Sequence, residues 1–252
     1  MTVPDSQDDP DAAAESLAHR AARLIATAIL SGDPVPGATL PVEATLCRRL
    51  RVSRNALREA VKIVAAKGFV RSNRRGGTVV LPERRWSLLD PDVLAWTVAL
   101  DGWREGFVAE LAQLRAMVAP EVAALAARNA TTTEILRLHE ACDAMEQPGD
   151  DPGQARDAEV WFYRRLFEAA HGRLVASLLP AMIVLVRTSS KALRTGDVAG
   201  RLATYRAIAD AVRARDPGAA RDTTRRLAGR EDGPAPPRVR VRAGRREVPF
   251  ES

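Results

Sequence analysis

The chain has 252 residues, with 38 Lys+Arg against 32 Asp+Glu and a formal charge of +6. Hydrophobic residues make up 46% and charged residues 28%, enough to fill one large core or two of ordinary size, which excludes a wholly disordered chain. Two cysteines, Cys47 and Cys142, exclude a disulfide framework, and the longest apolar stretch, Leu174 to Val186, carries Ser177 and Pro180 and falls far short of the ~20 residues of a membrane span.

The N terminus is acidic and Asp/Ala-rich, the opposite of a signal peptide, so the chain reads as a soluble cytoplasmic protein. Residues 1–13 have no periodicity and are expected to form a disordered acidic tail. From Ser16 to Leu30 apolar residues recur at helical spacing. A Gly/Pro loop follows at 32–37, then a short helix over about Val42–Leu50. Val52-Ser53 separates it from a third helix, Arg54–Lys67, with Ser53 as N-cap and Gly68 as its stop. On that helix Leu57, Val61 and Val64 form the expected core stripe. Cys47 is expected to be a small buried hydrophobe. Phe69–Ser72 and Thr78–Leu81 read as two strands of a hairpin around Asn73-Arg74-Arg75-Gly76-Gly77. Helix, helix–turn–helix and hairpin over 14–82 make a winged helix-turn-helix.

Charge is concentrated there. Residues 48–75 hold ten basic side chains against one acid, Glu59, a net +9, whereas residues 86–229 come to about −1. A solvated helix face would carry both signs, so the block is read as a nucleic-acid footprint. Residues 83–103 are expected to be a linker, beginning Pro82-Glu83-Arg84-Arg85, and a linking helix. Beyond them every segment reads helical: Pro91–Leu100, Arg104–Arg128, Thr132–Met145, Gly153–Ala170, Leu174–Leu193, Ala199–Ala214 and Pro217–Arg230. Turns are expected at Gly102, Gln147–Pro152, Gly172 and Gly196. Thr131–Thr133 supplies hydroxyl caps, but Thr133 to Leu136 gives no capping box. The fold class is mainly α: a winged head and an all-α antiparallel bundle over 104–231, followed by a Pro/Arg-rich flexible tail over 232–252.

The ordered run Gly37-Ala-Thr-Leu40-Pro41-Val-Glu43, Leu46, Val52-Ser53-Arg54-Asn55-Ala56-Leu57-Arg58-Glu59-Ala60, Gly68-Phe69-Val70 and Gly77-Thr78-Val79-Val80 resembles the N-terminal domain of the GntR family of bacterial transcription regulators. The extension Arg84-Arg85-Trp86 to Trp96 is similar to FadR-type members, among them regulators of sugar-acid catabolism. The resemblance implies DNA contact by Ser53, Arg54, Asn55 and Arg58 of the recognition helix and by Arg74, Arg75, Gly76 and Thr78 of the wing. Arg can bond guanine bidentately, Asn can do so to adenine, and a wing-tip Arg suits the minor groove. Lys62, Lys67 and Arg71 are read as solvated or long-range charges, and Arg48 and Arg49 as either phosphate contacts or plain surface. Ala44 stands where the family often has a basic DNA contact.

Leu114-Arg115 through Pro120-Glu121 resembles the opening of the FadR-type C-terminal domain, a bundle that binds small effectors and in many members holds a divalent metal with one Asp and three His. At the corresponding positions this chain has Glu159, Tyr163, Tyr205 and Leu227, and its only histidines, His19, His139 and His171, lie elsewhere. No metal or other cofactor is therefore expected. His171 is read as a helix C-terminal residue. Arg115, Glu159, Tyr163, Arg187 and Tyr205 are expected to point inward, with Arg115, Glu159, Tyr163 and Tyr205 as candidate effector contacts and Arg187 or Arg173 as further anion partners. For Tyr163 and Tyr205 a plain core role stays open beside the effector role. The resulting expectation is a homodimeric repressor that binds a palindromic double-stranded operator and is released by a small carboxylate effector. Two alternatives remain: an effector-independent regulator whose helical domain only dimerises, and an enzyme, for which no nucleophile–base pair, metal set or phosphate loop speaks.

Overall fold

The computed structural model describes residues 16–73, 76–146, 152–188 and 198–232. They divide into two compact units, one ending at Ser87 and the other beginning at Leu88. The expected tails at 1–13 and beyond 232, the turn segment 147–151 and the turn at Gly196 lie outside the described residues.

In the first unit, α1 (Leu17–Leu30) starts at Ser16, whose hydroxyl accepts the His19 N–H at 3.1 Å. Ala21, Ala22, Ile25, Ala26 and Ile29 bury its inner face, and their small size lets α3 (Arg54–Ala66) lie close against it. Between α2 (Glu43–Leu50) and α3, Arg51 adopts a left-handed conformation at φ 54° and its N–H reaches the Cys47 carbonyl. Cys47 is half-buried, not buried as expected, because Leu46 and Leu50, one turn apart, take the core face of α2.

The wing pairs β1 (Val70–Asn73) with β2 (Gly77–Val80) in antiparallel register, Val70 opposite Val80 and Ser72 opposite Thr78. Both strands start one residue away from expectation. Phe69 leaves the ladder for the core, where its ring stacks on Trp86 at 5.0 Å, while Gly77, at φ +74°, extends β2 to face Asn73. A third segment joins β2: Leu40 N–H donates to the Thr78 carbonyl at 2.8 Å and Val80 N–H to the Ala38 carbonyl at 2.9 Å. The expected linker begins as a 3-10 turn, Glu83–Arg85, tied to the head by the Trp86 indole, which donates to the Leu81 carbonyl at 3.0 Å.

The second unit is helical: α4 (Pro91–Val98), α5 (Asp101–Asn129), α6 (Thr132–Glu146), α7 (Pro152–Ala169), α8 (Arg173–Ala176), α9 (Leu179–Thr188), α10 (Val198–Arg213) and α11 (Pro217–Asp232). Asp90 caps α4 by accepting from the N–H groups of Asp92 and Val93. Gly102, expected as a turn, lies inside the first turn of α5. The break falls instead at Ala99–Leu100, and the ~1 kcal/mol cost of one helical glycine is small against the burial of Phe107 and Leu111. The expected single helix from Leu174 to Leu193 is two helices as far as Thr188, parted at Ser177–Leu178. Pro180 sits in the first turn of α9, where its missing N–H has no helical partner to lose. Helix α5 runs through the centre, packed by α7, α9, α10 and α11. Ala123 and Ala126 of α5, Phe162 and Leu166 of α7, Ile208 and Val212 of α10 and Leu227 of α11 form much of the core. Cys142 of α6 is buried there, which pushes its thiol pKa up to about 12 and leaves it unreactive.

A capping box does form at the start of α6, two residues before the Thr133–Leu136 spacing: Thr131 Oγ1 accepts the Glu134 N–H at 3.3 Å and Glu134 Oε2 accepts the Thr131 N–H at 2.7 Å. The same carboxylate oxygen meets His171 Nε2 at 2.9 Å, and His171 ends α7 in a left-handed conformation at φ 53°. Burial pushes the Glu134 pKa up, but the bonds from Thr131 and His171 outweigh it and hold it below the ordinary carboxylate value. Its stabilisation is therefore present above the unfolded-state pKa and is lost as pH falls through the lowered native one. Glu134→Ala should cost about 1–2 kcal/mol in urea unfolding at neutral pH, with a smaller difference in acid; an unchanged midpoint at neutral pH would contradict the cap.

Candidate DNA interface and effector site

Ser53 takes the N-cap position of α3 and its hydroxyl accepts the Ala56 N–H at 3.2 Å. That cap fixes where the first turn of the helix begins, and Arg54, Asn55 and Arg58 leave that turn exposed to solvent. The opposite stripe is Leu57, Ala60 and Val64, all buried. Val61, expected on that stripe, is half-buried, because the i, i+3, i+7 face passes through Ala60 and leaves Val61 at its border. Arg58 Nε lies 3.5 Å from Glu43 Oε2 at the start of α2, an exposed pair that orients the guanidinium along the helix face. Glu43 as its partner was not read from the sequence, since fifteen residues and a turn separate the two.

In the wing, Gly76 is exposed and Thr78 half-buried, its hydroxyl 3.3 Å from that of Ser72 across the ladder. A Cβ on Gly77 would come within 2.9 Å of the Thr39 methyl carbon, so the close third segment as well as the positive φ calls for glycine there. Arg74 and Arg75 lie outside the described residues.

In the second unit the sequence-selected polar residues are buried, Arg115 at 2%, Glu159 at 9%, Tyr163 at 2% and Tyr205 at 1% exposure. Arg115 and Glu159 are the only charged side chains in the buried class among the described residues. Tyr205 donates its hydroxyl to Glu159 Oε1 at 2.6 Å, and Arg201 Nη2 donates to Glu159 Oε2 at 3.1 Å. Phe162, Tyr163 and Tyr205 pack edge to face, with centroids 4.8–6.3 Å apart. Arg115 lies on α5, which packs against both α7 and α10. Arg187 and Arg173 are exposed, contrary to expectation: Leu185 and Val186 take the inner face of α9, and the one-turn α8 buries no side chain. The residue missed from the sequence is Arg201, whose signal is its position four before Tyr205 on α10, one turn away on the same face.

The donor set does not fit a transition metal. Tyr163, Tyr205 and Leu227 are the residues at the positions where the resemblance expects imidazoles; a phenol is a poor ligand and Leu is none, and both oxygens of Glu159 are engaged by protein donors. Among the described residues no group of three or more His, Cys, Asp or Glu could hold an ion. The arrangement suits a different task. A buried carboxylate held by a phenol and a guanidinium, with a second arginine buried in the same unit, makes a polar centre inside an apolar core. Tyr205→Phe should cost about 1.5–3 kcal/mol, read from denaturant unfolding, because it removes a hydrogen-bond donor from a buried carboxylate; a loss below about 0.5 kcal/mol would show that the bond does not hold Glu159.

Residues 17–80 match the gntR family of bacterial regulatory proteins, and residues 110–230 match the FCD domain. Over 195 residues the chain is 30% identical to the galactonate operon transcriptional repressor of Escherichia coli, a span of 76% of this chain and 85% of that protein. It is 33% identical over 209 residues to an uncharacterized HTH-type transcriptional regulator of Mycobacterium tuberculosis, with 81% and 84% covered. Among solved structures, that of Lar from Listeria monocytogenes superposes with a TM-score of 0.57 at 19% identity, over 87% of this chain and 96% of the other, a likeness of fold. No helix among the described residues is long and apolar enough to cross a membrane. The winged head, its basic recognition helix and the helical second unit make this chain a DNA-binding transcriptional regulator, not an enzyme, of the GntR family in the FadR-like branch that carries an FCD domain.

Proposed function

We propose that this regulator is a cytoplasmic repressor that binds a palindromic operator as a homodimer and leaves it when a small carboxylate of the sugar-acid kind binds in the helical body. One winged head covers a half-site, and two heads related by a two-fold axis read a palindrome. On the head, Arg54, Asn55 and Arg58 read bases in the major groove, the N-terminal turn at Ser53 meets phosphate, and the wing with Arg74, Arg75, Gly76 and Thr78 enters the adjacent minor groove.

The effector reading rests above all on one observation: Arg115 and Glu159, buried in the same unit, are the described chain's only charges in the buried class. Burying a charge is costly unless it is paired, and such groups are retained where a site uses them. Arg115, Tyr163 and Arg201 can offer N–H and O–H donors to a carboxylate and hydroxyls, while Tyr205, whose one O–H is given to Glu159, and Glu159 itself can accept from ligand hydroxyls. The relative named for a galactonate operon supports the chemical class. Binding would bias the protein toward a form that holds DNA poorly, and by linkage DNA would weaken effector binding equally.

The test is a panel of aldonates, uronates and short hydroxy acids, galactonate included, added to the preformed protein–DNA complex. At least one should release DNA and raise the melting temperature of the free protein. Arg115→Ala should shift the releasing concentration about tenfold or more upward, the loss expected for a charge-assisted bond worth 1.5–3 kcal/mol. Release by none of the panel, with no thermal shift, would favour a body that serves dimerisation alone.

A further inference from the structure

We propose that the effector of this regulator carries two anionic groups, one at each end of the molecule, and that Arg156 of α7 is the residue that selects the second. The proposal rests on the effector reading above and narrows its chemical class from sugar acids in general to dianionic ones.

Helical spacing puts Arg156 on the inward side of α7. Residues 156, 159, 163 and 166 follow one another at steps of three and four, and Glu159, Tyr163 and Leu166 are all buried. Arg156 begins that stripe and is itself half-buried. Its Nε is closed off from solvent, and among the described residues it has no hydrogen-bond partner and its guanidinium no ion pair. Arg165, whose Nε is also enclosed, is held differently: Glu168 pairs with it at 2.8 Å and the Trp161 ring lies 5.7 Å away.

A guanidinium stays charged at any pH the protein meets, so the cost of enclosing Arg156 is not relieved by loss of a proton. An anion has to answer it. The unit's own carboxylates do not. The inward stripe of α5 runs through Arg115, Ala119, Val122 and Ala126, and that of α10 through Arg201, Tyr205, Ile208 and Val212. With Arg156, three helices thus carry three inward arginines against one inward carboxylate, Glu159, an excess of two positive charges among the described residues. Glu159 is already bonded to Tyr205 and Arg201.

One carboxylate on a ligand balances one of those two charges. Arg156 and Tyr163 are separated by about 10 Å of rise along α7. A ligand that reaches both is therefore an extended one with an anion at each end. Six-carbon sugar diacids and phosphorylated sugar acids share this chemistry, and a guanidinium fork accepts either terminal group in two parallel bonds.

The experiment titrates the full-length protein and its Arg156→Ala and Arg156→Lys variants in a calorimeter with three ligands. Galactonate has one carboxylate, galactarate has two, and 6-phosphogluconate has a carboxylate and a phosphate. The wild type should bind one of the two dianions at least about tenfold more tightly than galactonate, and the one it prefers tells carboxylate from phosphate at the second position. Arg156→Ala should lose that advantage, about tenfold, while its galactonate affinity changes less than about twofold; Arg156→Lys should keep part of it. The melting temperature of the ligand-free alanine variant should not fall, because no protein bond is lost and an enclosed charge is removed. A mono-acid that binds as tightly as both dianions would overturn the proposal and leave the effector reading standing. Arg156→Ala that weakens all three ligands alike, or leaves the dianions unaffected, would do the same. So would a ligand-free alanine variant that melts several degrees lower, since the arginine would then be held by the fold. If none of these ligands and no member of the panel above binds, the effector reading falls and the proposal with it.

Discussion

A carboxylate buried in an apolar core must be given partners, and in this regulator the requirement falls on Glu159. Its two oxygens are taken by Tyr205 and Arg201, both from α10, so one side chain of α7 is bonded twice to one face of a neighbouring helix. Phe162 and Tyr163 close around the same point from α7. The helical body is thereby organised about a small polar centre whose charges come from the chain itself. An arginine can fill an electrostatic role that a bound ion would otherwise have, but it differs in kind: it is always charged, always present and directional.

The head depends on a separate constraint, the placement of the α3 N terminus. Ser53 fixes the start of the helix and Arg51 supplies the left-handed residue of the turn before it. Ala21, Ala22 and Ile25 of α1 receive the inner stripe of α3, so that Arg54, Asn55 and Arg58 are left on the outside by helical geometry alone. The Phe69–Trp86 stack then ties the segment after the wing to the same small core. Charge and rigidity coincide in one surface, which suits a protein that meets a rigid polyanion.

Much of this was legible in the sequence. The 3.6-residue spacing of Leu17 to Ile29, the Ser53 cap, the lone Glu59 in a basic block and the Gly-rich hairpin each carry a local physical signal. Tyr163, Tyr205 and Leu227 at the positions where the family resemblance expects imidazoles rest on that resemblance, and donor chemistry then argues against a metal there. What escaped was set by tertiary packing. Gly102 looks like a turn until Phe107 and Leu111 commit the segment to helix. Leu174 to Val186 reads as one apolar run, and only the Pro180 boundary explains its division. The inward role expected of Arg187 and the anion-partner role offered for Arg173 are not met, because the inner face of α9 is already filled and α8 is too short to bury a side chain. Arg201 was missed because an arginine on a helix surface is ordinary; its partner, Glu159, is forty-two residues away. Arg84 and Arg85 looked like linker charges because nothing local announces that Trp86 will dock on Phe69.

A Glu159–Tyr205–Arg201 cluster that takes the place of a metal centre leaves no need for a stoichiometric ion in the helical unit. Elemental analysis of the purified full-length protein, paired with its melting temperature before and after exhaustive chelation, tests this most directly. Transition metal well below one ion per chain and an unchanged melting temperature are expected. One tightly held ion per chain, whose removal lowers the melting temperature, would contradict it.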